Sequence, residues 1–98
     1  MVRHIVMWKL KEFAEGKTST ENAAIMKKRL EDLVGKIEGL ISLEVISGFT
    51  KDYDLCLLSE FVDRDALAFY ADHPLHDAVR QYVHKVIDAR VVFDGEHS

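Results

Sequence analysis

The segment Tyr70-Ala71-Asp72-His73-Pro74-Leu75-His76 puts a phenol and two imidazoles within seven residues. Imidazole titrates near neutral pH and serves as acid, base, metal ligand or hydrogen-bond switch. A third imidazole, His4, stands near the other end of the chain. Gathered in one cavity, these groups suit proton chemistry on a small molecule. His76, aided by Tyr70, would take a proton from a carbon or phenol, and His4 would stabilise the developing enolate. The catalytic candidates are therefore His4, Tyr70 and His76. Trp8, which alternation places on the same strand face as His4, joins them and His73 as candidate ligand-binding residues. The same residues also have a scaffolding reading: His73 before proline as a cap, Tyr70 as core filling, and His4 with His76 as a buried pair fixing strand to helix. His84 and His97 read as solvent-facing.

A metal would need His73 and His76, at i and i+3, with Asp72 or Asp77 as a third ligand. Metal sites usually bring more ligands and a supporting second shell, so no metal is assigned. No phosphate-cradling glycine loop is present, and no cofactor is called for.

The elements that must position these groups follow from periodicity. Residues Val2 to Lys11 alternate, with His4, Val6, Trp8 and Leu10 on one face and Arg3, Ile5, Met7 and Lys9 on the other, which predicts a strand covered on both sides. Glu12 to Ser19 reads as a polar connection. Thr18 and Glu21 then form a capping box opening a helix of about four turns. Its buried stripe is Met26, Leu30, Leu33 and Ile37 with Ala23 and Val34, and Gly39 is expected to stop it. Leu40 to Ile46 and Tyr53 to Phe61 are predicted strands, the second central. Asp63 caps a short helix through Tyr70 and Ala71. Pro74 restarts helix through about Lys85, with Val79, Tyr82, Val83 and Val86 inward. A last strand is expected over Ala89 to Phe93, followed by a mobile polar tail from Gly95 to Ser98.

The order βαββαβ predicts an α+β fold: a ferredoxin-like antiparallel sheet with helices on one face, forming a single domain over residues 1–98. One sheet face is then bare, and its apolar residues call for a second copy packed sheet to sheet, a homodimer. Val6 and Leu57 are offered as positions on that bare face, while the pattern leaves open which register faces the partner.

With 48% hydrophobic and 31% charged residues, the 98-residue chain has globular composition rather than that of a disordered segment. Its net charge of −4 is spread over mixed signs, without a basic stripe for nucleic acid. No run approaches the roughly 18 apolar residues that span a bilayer. Arg3, His4 and Lys9 interrupt the apolar residues at the N-terminus, so a signal peptide is not expected. Cys56 is the lone cysteine and is expected to be a buried, inert thiol in a reducing, cytoplasmic compartment.

The residues His4 to Lys11, Tyr53 to Phe61, Tyr70 to His76 and Val92-Phe93-Asp94, in this order and spacing, resemble the stress-responsive dimeric α/β-barrel domain family over nearly the whole chain. The resemblance implies a homodimer with a cavity between sheet and helices in each subunit. It also implies a stress-related protein binding a small apolar or aromatic molecule, without an assigned reaction. A plant branch similar in fold cyclises linear polyketides with cavity histidines and a tyrosine, matched here by His4, Tyr70 and His76. That branch implies a cofactor-independent enzyme as the alternative. Where it carries a histidine in the third strand, this chain has Leu55, which makes the cavity less polar.

Overall fold

Alternating side chains make Val2–Leu10 the strand β1, and burial follows the same period of two: Val2, Val6, Trp8 and Leu10 are buried, while Arg3 and Met7 are exposed. The computed structural model describes residues 1–97. After β1 come two short strands, β2 (Phe13–Ala14) and β3 (Lys17–Thr18), and the helix α1 (Ser19–Glu31). Next are β4 (Leu40–Ser47), β5 (Leu55–Phe61), α2 (Arg64–Asp72), α3 (Pro74–Val86) and β6 (Ile87–Glu96). The main sheet has the order β4-β5-β1-β6, and all three of its pairings are antiparallel. Its helices lie on one face, the expected ferredoxin-like arrangement, with β1 and β5 central.

The capping box forms as read: Thr18 accepts from the Glu21 N–H, and the Glu21 carboxylate accepts from the Thr18 N–H at 3.0 Å. Asp63 caps α2 by accepting from the Ala66 N–H at 2.8 Å. In each case a short polar side chain satisfies an amide that the first helical turn leaves without a partner.

Several local expectations are corrected. The connection after β1 is not irregular, because Phe13 pairs with Thr18 and Ala14 with Lys17 around Glu15 and Gly16, both at positive φ. Two successive left-handed residues give the tight turn that matches strand twist. Helix α1 ends at Glu31 rather than at Gly39. Beyond it the chain winds in tighter i→i+3 turns, such as Lys36 N–H to the Leu33 carbonyl, and passes left-handed Gly35. Leu33 and Ile37 stay buried in these turns while Val34 is exposed. Gly39, with φ +88°, instead admits close packing of α2, since a Cβ there would lie 2.5 Å from that of Ala66. The central strand β5 starts at Leu55, because the Asp54 carbonyl closes a turn onto the Gly48 N–H. β6 runs to Glu96, where the expected tail was to begin, because Gly95 pairs with Arg3 and Glu96 with Val2. Ser98 lies outside the described residues.

Fully buried Asn22 was not anticipated as core. Its amide donates to the Ala14 carbonyl at 3.0 Å and its oxygen accepts from the Tyr82 hydroxyl, so one polar side chain ties the small hairpin and α3 to α1. Among the described residues, nothing covers the opposite sheet face. Met7, Ile46, Leu58, Val91 and Phe93 are exposed there, and Ile5 is partly so. Cys56 also faces this side and is half-buried, not enclosed in the core; what burial it has pushes its thiol pKa up. Among the described residues, no helix is long and apolar enough to cross a membrane.

Candidate active site

His4 leaves β1 on the helix-covered face, and the antiparallel register sets it directly opposite Asp94 of β6. Its Nδ1 lies 2.5 Å from Asp94 Oδ1. A carboxylate oxygen accepts, so Nδ1 carries the hydrogen and Nε2 is the nitrogen left for other contacts. Asp94 was quoted in the sequence only as part of a closing motif. Its role depends on strand register, which local pattern does not reveal.

Tyr70 sits in the last turns of α2, where helical spacing turns it into the core at 2% exposure. Its ring stands 6.3 Å from that of His4, 5.0 Å from Phe61 and 4.1 Å from His76 (centroid distances), the last pair inclined by 34°. Burial raises the phenol's pKa well above its ordinary value, so the hydroxyl stays protonated and able to donate.

His76 lies in the first turn of α3, and its Nδ1 is 3.3 Å from the Ala71 carbonyl. The carbonyl can only accept, which fixes hydrogen on Nδ1 and leaves the Nε2 lone pair free in the neutral ring. The imidazole pKa is lowered, first by burial and further by Arg80 and His4; the Ala71 bond and Asp77 oppose this. The ring is therefore neutral at neutral pH, in the form a proton acceptor requires.

These rings share one cavity of about 140 Å³ between the sheet and α2–α3. Val6, Leu30, Leu57, Leu67 and Val83 make most of its remaining wall, and Trp8 lines it as well. Leu55 is buried but does not line it. His73 does not join the cavity. Its Nδ1 accepts from the Leu75 N–H at 3.0 Å, capping α3, and its ring packs edge-on against Phe69 at 5.4 Å. His84, read as a solvent residue, is exposed yet stands on the cavity's rim with Arg80 and Arg90. The spacing of His76, Arg80 and His84 at four-residue steps could have signalled this shared stripe. Among the described residues, no three or more His, Cys, Asp or Glu side chains gather as metal ligands.

A family model described as the stress responsive A/B barrel domain matches residues 2–97. The chain belongs to this family. A dimeric protein of unknown function and ferredoxin-like fold from Bacteroides fragilis is 30% identical to this A/B barrel chain, with a TM-score of 0.81 over 98% of this chain and 95% of that one. A protein from Arabidopsis thaliana superposes with a TM-score of 0.86 at 21% identity, over 100% of this chain and 96% of that one. The hydroxynitrile lyase of Passiflora edulis has the same fold at 13% identity and a TM-score of 0.80, covering 96% and 90% of the two chains. No curated protein matches the sequence.

Proposed function

We propose that this A/B barrel protein is a homodimer whose subunits each bind a small apolar or aromatic molecule between sheet and helices. The observation that carries the reading is the convergence of three polar rings, His4, Tyr70 and His76, on one cavity whose wall is otherwise mostly aliphatic. Ligand sites characteristically combine an apolar enclosure with a few convergent polar groups. Self-association is supported by the apolar bare face and by dimeric relatives such as the Bacteroides fragilis protein. Packing the two bare faces together would supply the burial that a chain of this size lacks alone. We place the protein in the cytoplasm, where the lone Cys56 would stay reduced, and in the stress-related setting of its family.

The orientation of His76 favours a second reading, cofactor-independent acid–base catalysis. With Nδ1 held by Ala71 and the ring neutral, Nε2 would accept a proton while Tyr70, or His4 in its protonated form, donated to the oxyanion formed. The lyase on the same fold is a precedent for chemistry in this architecture, not for a substrate.

A thermal-shift screen of aromatic and polyketide-like compounds on wild type, His76→Ala and Tyr70→Phe tests both readings. A ligand at one hundred times its Kd should stabilise the protein by about 2.7 kcal/mol, a shift of several degrees. Loss of the shift in folded variants supports the cavity as the site, and an equal shift in all three refutes it. Turnover lost on His76→Ala with binding retained would establish the catalytic reading.

A further inference from the structure

Trp8 lines the cavity and is 4% exposed. Across the β1–β6 pairing Trp8 stands directly opposite Arg90, so both side chains leave the same face of the sheet. Arg90 lines the cavity too and forms none of the ion pairs found among the described residues. From α3, Arg80 and His84 reach the same rim; Arg80 is held by Asp77, which leaves Arg90 as the less committed charge. Among the described residues, no carboxylate side chain lines this cavity.

An aliphatic chamber whose rim carries Arg80, His84 and an unpaired Arg90, and no carboxylate, matches one ligand chemistry. We infer that the cavity takes a small aromatic or conjugated carboxylate. The ring packs against Val6, Leu57 and Tyr70, and the carboxylate meets Arg90 at the rim. A cavity of about 140 Å³ holds a body near the size of one six-membered ring, with the charged group at the open end. Arginine suits this role because its fork matches the two oxygens of a carboxylate. This inference rests on the proposed binding function and names the class of molecule bound.

Calorimetric titration with benzoate and trans-cinnamate, against benzamide and cinnamamide of the same shape, tests it. Toluene serves as the uncharged control. Wild type should bind each acid about tenfold or more tightly than its amide, a preference that shrinks as salt rises. Arg90→Gln, on an exposed side chain that leaves the core intact, should abolish most of that preference and leave toluene binding unchanged. Amides that bind as well as acids, or an Arg90→Gln variant that keeps the preference, overturn the carboxylate assignment. So does toluene binding where neither acid nor amide binds, an outcome that leaves the cavity reading standing. Failure of all five compounds overturns both.

Discussion

The two faces of the sheet are built from the same four strands by alternate residues, yet they solve different problems. On the helix side, Val6, Trp8, Val45, Leu55, Leu57 and Phe61 are buried by α1, α2 and α3 of the same chain. On the other side Ile5, Met7, Leu58, Val91 and Phe93 form an apolar surface that none of the described residues covers. A side chain's worth is thus set by its parity along the strand. A charge at one position meets a closed core, and the same charge one residue later meets a surface open to a partner.

A pair of substitutions should break this comparison with the largest effect. Leu57→Asp puts an uncompensated charge at a site 2% exposed, which costs on the order of 4 kcal/mol and is expected to abolish the folded state in circular dichroism. Val91→Asp, on the bare face, should keep the dichroism spectrum but give an 11.2 kDa monomer by light scattering. A dimer that survives Val91→Asp would refute sheet-to-sheet association. The pattern alone offered Val6 and Leu57 as bare-face candidates, and their burial against the helices reverses that choice.

On the cavity side, Asp94→Ala removes the partner of His4. The carboxylate is half-exposed, so stability should fall by about 1 kcal/mol or less, read as a small drop in Tm. Unchanged stability together with unchanged ligand binding would show that the His4–Asp94 contact positions nothing.

His76 gives a pH signature confined to the helix side. Its folded pKa lies below the unfolded value near 6.5, so below that value the unfolded chain binds the proton more readily than the native one. Stability contributed by the neutral ring is full above about pH 6.5 and is lost as pH falls from there through the lowered folded pKa. Denaturant titrations across this range should show the loss in wild type and a flatter profile in His76→Gln. An identical profile in both would assign the pH dependence to other groups.

The smallest effect concerns Cys56. Half-buried, with its thiolate disfavoured, it should react slowly with a thiol reagent in the native dimer, faster in the Val91→Asp monomer, and fastest when denatured. Equal rates in dimer and monomer would mean that association leaves this part of the face uncovered.

Much of the fold was legible because its signals are local. Alternation marked the strands, Thr18 with Glu21 and Asp63 marked helix starts, and Pro74 marked the restart that gives His76 its place. Boundaries set by backbone geometry were not legible. Nothing in composition distinguishes α-helix from the tighter turns after Glu31, because both keep Leu33 and Ile37 facing inward. Nor does the polar sequence around Glu15 announce a hairpin without the glycine conformation beside it.

For the candidate site, residue type and helical or strand period nominated His4, Trp8, Tyr70 and His76, since each is a polar or aromatic group on an inward-facing position. Tertiary structure alone decided the rest. Antiparallel register, set by pairing between distant strands, put Asp94 on His4 and Arg90 beside Trp8. The break between α2 and α3 spent His73 on a backbone amide and turned His76 toward Tyr70. Sequence period fixes which way a side chain points along its own element; only the packing of one element on another fixes what it meets there.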